Sequence, residues 1–263
     1  MVSIVDPWLF FYTGYFIAII MLLVTSYMDL KTREIEPRIW IPFGIIAIAL
    51  LVARVYAGDE SIGPLYILLS LIAPAILLAL GMVGMMGLAD PIAMLMVAIL
   101  LPSPPPGLLI PPSMFILVLS SLSMLFSLVI PISIYNTRYL QMIRRICGSL
   151  YLTIVIATTG IALPIERFER TRFLYPLVYP DRSGDSIRWI CRASFNIDED
   201  PEEHRARIRA LVETGLINRK ERIFVTWGVP YILFILIGAI LYPILAPYAE
   251  NIIRSLYIVS EKI

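Results

Sequence analysis

Cysteine and histidine are almost missing from this chain. It holds two cysteines, Cys147 and Cys191, and one histidine, His204. No C-x-x-C pair occurs, so a Cys/His zinc site lacks its ligands. The expectation is that the two cysteines stand alone and that neither metal nor cofactor is required. Charge is scarce as well. Only 16% of the 263 residues are Asp, Glu, Lys or Arg, and the net charge is +1. Such a balance gives no sign of nucleic-acid binding. No convincing internal repeat is present, although repeats with broken helices are common in secondary transporters.

What the chain has in quantity is apolar sequence. Hydrophobic residues make up 59% of it, and the mean hydropathy is +0.84. Soluble domains lie well below that fraction. A membrane-spanning helix needs ~20 mostly apolar residues, and several stretches qualify. The first runs from Leu9 to Met28 behind the aromatic cluster Trp8, Phe10, Phe11 and Tyr12, which suits an interfacial belt. Its length and the charged stop after it fit a span better than a cleavable signal. The second runs from Trp40 to Tyr56 and the third from Leu65 to Met86. Near the end of the third, Gly81, Gly84 and Gly87 recur every third residue and predict a strip open to close helix approach. The fourth run, Pro91 to Leu101, is short and leads into the proline-rich "PSPPPGLLIPP", which cannot be helical. The fifth runs from Ser113 to Ile134 and the sixth from Thr226 to Ala246.

Between Tyr135 and Val225 the charges become dense. "SLYLTIVIATTGIAL" (Ser149 to Leu163) is apolar but short and rich in Thr and β-branched residues. It reads as a buried strand pair or a membrane-hugging segment. "DEDPEEHRARIRALVETG" reads as a soluble helix capped by Asp200, with Pro201 at its first position, acids in its first turn, and Gly215 as its stop. His204 falls on that helix, where a surface role is expected. The sequence thus predicts an all-α polytopic membrane protein with six transmembrane helices and a small mixed α/β insert before the last helix. Residues 1–135 form the membrane domain, 136–225 the insert, and 226–263 the sixth helix and tail.

Orientation follows from the basic residues. Lys31, Arg33 and Arg38 flank spans one and two, and fifteen more lie between Arg138 and Arg222. The opposite side holds Arg54, Arg254 and Lys262. Cytoplasmic loops carry the Lys/Arg excess, so the insert is predicted to be cytoplasmic and both N- and C-termini to lie outside. On this topology Asp29 closes span one, and Asp90 opens span four, at similar depth near the cytoplasmic boundary. Either acid alone could be a helix cap or an interfacial ion pair. Together, beside hydrocarbon, they are candidates for function. Two carboxylates in a poorly solvated place cannot both ionise easily, so one keeps a proton. The ionised one can take a proton from water and the protonated one can give a proton to a carbonyl oxygen or a leaving amine.

At these residues the chain resembles a known family. "SYMDLKTREIEPRIW" resembles the aspartate segment of type IV prepilin peptidases, and "GLAD" resembles their G-x-G-D motif, with the archaeal preflagellin peptidase branch the nearest in layout. "RFLYPL" and "VTWGVPYILFILIG" resemble pieces of archaeal members. The resemblance implies a membrane-embedded aspartic endopeptidase. It would remove a short basic leader from archaellin or type IV pilin-like precursors in the lipid membrane. Asp29 and Asp90 match the catalytic aspartates, and Gly87 matches the first motif glycine. Ala89 stands where the motif has its second glycine, and Gly84 belongs to the glycine-rich approach. Glu34 and Glu36, or the run Asp198 to Glu203, are candidates for reading the basic leader. The competing readings are a cation- or proton-coupled transporter that uses the two aspartates, and an inactive pilin-binding relative.

Overall fold

The computed structural model describes residues 6–59, 61–83, 86–183, 186–195 and 199–260. They divide into two units. One comprises 1–124 with 230–263, and the other 125–229.

The first unit is helical: α1 (Pro7–Thr32), α2 (Trp40–Tyr56), α3 (Pro64–Ser70), α4 (Ile72–Met82), α5 (Ala89–Leu100), α6 (Pro112–Met124) and, last in the chain, α12 (Tyr231–Ser260). Asp6 caps α1 by accepting from the Trp8 N–H at 2.9 Å, and Pro7 follows it. Arg33, with φ 60°, ends the helix in the left-handed region.

Among the described residues five helical stretches are long and apolar enough to cross a membrane: Trp8–Thr32, Pro37–Tyr56, Pro64–Met82, Pro112–Cys147 and Tyr231–Ser255. The expected fourth span is not one of them. Helix α5 has 12 residues, roughly 18 Å at 1.5 Å per residue, against a hydrocarbon core of ~30 Å. It is followed by buried, non-helical chain from Leu101 to Pro105. Irregular backbone at membrane depth is tolerated where protein surrounds it, and polar side chains meet it here. Ser70 donates to the Pro102 carbonyl at 2.7 Å, and the Arg54 guanidinium donates to Ser103 Oγ at 2.9 Å.

Prolines inside the spans are handled the same way. Pro74 leaves the Ser70 carbonyl, four residues back, without its helical donor, and the Ser113 hydroxyl donates to it at 2.8 Å. Pro243 does the same to Ala239, whose carbonyl accepts from the Tyr15 hydroxyl at 3.0 Å.

Among the described residues, close helix approach is not found at Gly81 or Gly87. Helix α4 ends at Met82, so Gly87 is outside it, and Gly84 lies outside the described residues. A Cβ on Gly81 would meet only the local Met86 carbonyl and Leu88. The tight crossings are elsewhere. A Cβ on Gly14 of α1 would run into the Leu100 carbonyl at the end of α5. One on Gly238 of α12 would lie 2.6 Å from Ser120 Oγ and 2.7 Å from the Ile116 carbonyl of α6.

The second unit is an α+β assembly. After a π-helical turn (Leu125–Val129) come α7 (Ile130–Asn136), α8 (Leu140–Cys147), α9 (Leu150–Thr159), β1 (Ile161–Pro164), α10 (Ile165–Arg170), β2 (Leu174–Ser183), β3 (Ser186–Cys191), α11 (Pro201–Glu213) and β4 (Arg222–Trp227). The sheet is antiparallel in the order β1-β4-β2-β3. Helices α10 and α11 pack Phe168, Ile208 and Leu211 on sheet residues Leu174, Ile223 and Val225. Ile143 of α8 and Ile156 of α9 join Leu177 and Phe224 in a second cluster.

Several expectations change here. Ser149–Leu163 is no strand pair. Ser149 caps a helix by accepting from the Leu152 N–H, and Thr153, Thr158 and Thr159 donate to carbonyls four residues back. Hydroxyls that bond their own helix let threonine stay helical. Only residues 161–164 are strand. Thr226 and Trp227 belong to β4, opposite Tyr175 and Leu174, so the last helix starts at Tyr231. The cysteines do not stand alone: Cys147 and Cys191 form a disulfide that joins the end of α8 to the end of β3. His204 is not a surface group. Its side chain is 12% exposed and lies 3.0 Å from Glu199, edge-on to Tyr179. Helix α11 otherwise has the expected ends, with Asp200 accepting from the Glu202 N–H at 2.8 Å and Gly215 at φ 73°.

Candidate active site

Asp29 and Asp90 are both in the helical unit, and packing periodicity leads to each of them. On α1 the buried positions are Phe11, Ala18, Met21, Leu22, Thr25 and Ser26. A helix repeats every 3.6 residues, so this stripe continues to Asp29, one turn before the end. On α5 the buried positions after Asp90 are Pro91, Ala93, Met94, Val97, Ala98 and Leu100, and Asp90 begins the stripe that Ala93, Met94, Val97 and Ala98 continue. The two helices run antiparallel. Gly14 of α1 meets the Leu100 carbonyl at one end of the pair, and the aspartates come near each other at the other, where the charge of Asp29 acts on Asp90. Asp90 is 7% exposed; Asp29 is half-buried.

The surroundings are sparse in counter-charge. Arg33, one turn after Asp29, is the cation whose charge acts on it. The Asp90 N–H donates to the Gly87 carbonyl at 3.3 Å. A Cβ on Gly87 would meet only Asp90 Oδ2, at 3.8 Å, so the chain beside the carboxylate is open to another backbone. Neither Gly87 nor Ala89 has a positive φ. Ala89 is the first residue of α5, where alanine is a favourable helix former. The position thus has no conformational need for the second motif glycine.

Two side chains near this place carry no motif signal. Tyr231, the first residue of α12, is 4% exposed. Its hydroxyl is 3.1 Å from Ser121 Oγ of α6, and the Asp90 charge acts on its phenol. Ser26, three residues before Asp29 and on the same face, has a buried hydroxyl without a hydrogen-bond partner. A buried tyrosine at a helix start has no distinguishing spacing, so only packing finds it.

Glu34 and Glu36 are exposed beside the end of α1, and Glu36 faces Arg38 at 3.6 Å. Asp198 lies outside the described residues. Of the rest of that acidic run, Glu199 binds Arg192 at 2.6 Å, Glu202 pairs with Arg205, and Glu203 lies 2.5 Å from Arg207. Local arginines therefore pair with Glu199, Glu202 and Glu203, and Asp200 caps α11. Among the described residues no three His, Cys, Asp or Glu side chains gather as a metal-ligating group.

Comparison with known families gives two matches along the chain. Residues 16–132, which contain both aspartates, match the type IV leader peptidase family. Residues 152–245 match the archaeal Peptidase A24 C-terminus type II family. The chain belongs to the archaeal type IV leader peptidases. A comparison with curated proteins finds no match. Membership and the apolar helices together make this leader peptidase a multi-pass membrane protease.

Proposed function

We propose that this peptidase is an aspartic endopeptidase in which Asp29 and Asp90 are the catalytic pair. It cuts archaellin or type IV pilin-like precursors between a basic leader and the apolar helix that follows. The observation that carries the reading is the convergence of the two carboxyls at one end of the antiparallel α1–α5 pair, each on the buried stripe of its helix.

The chemistry needs one proton shared by two acids. The ionised carboxylate takes a proton from water as the oxygen adds to the scissile carbonyl. The protonated partner gives its proton to the carbonyl oxygen. When the C–N bond breaks, a proton returns to the amine and the product carboxyl is released. General acid and general base of this kind each contribute about 10²–10⁴-fold. A helical substrate hides its peptide groups in its own hydrogen bonds, so the scissile segment enters unwound. The open flank of Gly87 receives it. Glu34 and Glu36 are placed to attract the basic leader.

The excess of arginine between 138 and 222 supports a reaction at the cytoplasmic face. Disulfides persist mainly in oxidising compartments, with hyperthermophile cytosol as an exception. The Cys147–Cys191 bridge is compatible with the cytoplasmic reading in a cytoplasm of that kind. Asp29→Asn and Asp90→Asn in reconstituted protein, each assayed for a shortened precursor, test the catalytic pair. Each variant should insert and fold normally and process the precursor about 10²–10⁴-fold more slowly. A variant that cleaves at the wild-type rate removes that residue from the reaction.

A further inference from the structure

The family's reaction leaves one feature of the second unit unused. Helix α9 turns one face inward, where Thr153, Ile156 and Ala157 are buried. Its outer face is apolar too: Leu150 is 61% exposed, Tyr151 66% and Ile154 54%. No charged residue occurs from Gly148 to Ile165. A solvated helix carries charge on its outer face, and a contiguous exposed apolar patch marks a contact surface. At ten residues, roughly 15 Å, α9 cannot cross a bilayer.

Two observations name the occupant. The first is continuity. Asn136 at the end of α7 donates to the Ala157 carbonyl at 3.0 Å and to the Gly160 carbonyl at 2.5 Å, which fixes α9 against α7. Helix α7 lies within the apolar stretch Pro112–Cys147 that is long enough to cross a membrane, and its Ile134 is as exposed as Tyr151. The second is charge. No acid occurs between Asp90 and Glu166, whereas Arg138, Arg144 and Arg145 all lie there. All three are exposed, and none forms an ion pair among the described residues. Arg138 stacks 3.9 Å from the Tyr135 ring centroid, an arginine–tyrosine pairing typical of the bilayer boundary.

We propose that α8 and α9 form a lipid-docking surface of the insert, with Leu150, Tyr151 and Ile154 in the acyl boundary and Arg138, Arg144 and Arg145 on anionic headgroups. An interfacial helix binds through apolar area plus attraction to anionic lipid. Long arginine stems let the guanidinium reach headgroups while the helix stays lower. Docking through α9 would tether the insert to the membrane by a contact beyond the apolar stretch Pro112–Cys147.

The test uses full-length, oxidised protein in liposomes with and without anionic phosphatidylglycerol. A nitroxide is placed at Ile154→Cys or Leu150→Cys, with Ser186→Cys on β3 as a water-exposed reference. Both α9 labels should collide with oxygen severalfold more than with a water-soluble nickel chelate, whereas the reference should show the reverse. Arg144→Gln with Arg145→Gln, or omission of anionic lipid, should move the α9 labels toward nickel. Nickel access like that of the reference in anionic liposomes overturns the proposal. So does shielding from both reagents, which would mean that protein covers this face.

Discussion

Two of the places where the helical unit buries ionisable groups are built on opposite rules. One is the Arg54 cluster. Arg54 Nε donates to Asp59 at 2.9 Å, with both side chains nearly inaccessible. Ser61 and Ser103 complete it, with Asp59 accepting from the Ser61 hydroxyl at 2.6 Å. Charge is matched inside the cluster. The other is Asp29 with Asp90, where like charges meet and Arg33 acts on Asp29. A matched buried pair holds structure in place, and losing one partner is expensive. Two neighbouring acids repel each other, and such pairs persist where chemistry needs a movable proton. Family membership fits that division, because the acids lie in the segment matched to leader peptidases.

Exchanging the two kinds of residue should separate activity from stability. The largest expected effect is on cleavage: Asp29→Asn or Asp90→Asn should cost about 10²–10⁴-fold in precursor processing. Thermal unfolding in detergent should show no loss of stability, since a neutral amide relieves repulsion. Next, Arg54→Met should cost about 3–5 kcal/mol of stability by leaving Asp59 buried without its cation. The protein that remains folded should cleave with unchanged kcat. A fall in kcat with intact stability would reverse the roles assigned to the two clusters.

A smaller effect is expected at Tyr231. Tyr231→Phe removes one hydrogen bond of about 1 kcal/mol, so kcat should fall about fivefold with little change in KM. Ser121→Ala acts through the same hydroxyl, and the double variant should be no worse than Tyr231→Phe alone. Additive losses would show that the two residues act independently.

The smallest effect is in pH. Burial alone would raise the Asp59 carboxyl, but hydrogen bonds from Ser61 and Arg54 and the Arg54 charge hold it below the usual carboxylate range. A depressed value means that its stabilisation is complete above the unfolded value of about 4 and is lost as pH falls through the folded value. Acid unfolding below that point should therefore be blunted in Asp59→Asn, measured by the change in midpoint between neutral and acidic buffer. An identical acid sensitivity in that variant would assign the loss to other carboxylates.

The first three spans and the α11 helix were legible because their signals are local. Apolar run length, Trp40 and Tyr56 as limits, the Asp200–Pro201 cap and the Gly215 stop all act within a few residues. The Asp29 and Asp90 motifs were legible for the same reason, as short strings beside apolar runs. Local signals failed where a long-range partner decides. The 149–163 segment has strand-like composition, but Ser149 caps it and the core takes its inner face, so it is mostly helix. The glycine spacing at 81, 84 and 87 pointed to a crossing, whereas the actual crossings use Gly14 and Gly238, single glycines that no period marks. The Cys147–Cys191 bridge joins residues 44 apart, and no spacing rule reaches that far without a compartment to read it by.

By itself the sequence determined that this chain enters a membrane, that a charge-dense stretch lies between its apolar runs, and which two acids stand at helix ends. Hydropathy, cap chemistry and charge density are sums over neighbours along the chain, so they survive without a fold. Only the tertiary structure decided that α5 stops short and continues as buried irregular chain, that Tyr231 lies near Asp90, and that α9 keeps an apolar face outward. Each of these depends on which distant atoms satisfy a carbonyl, a hydroxyl or a surface, and that is set by packing in three dimensions.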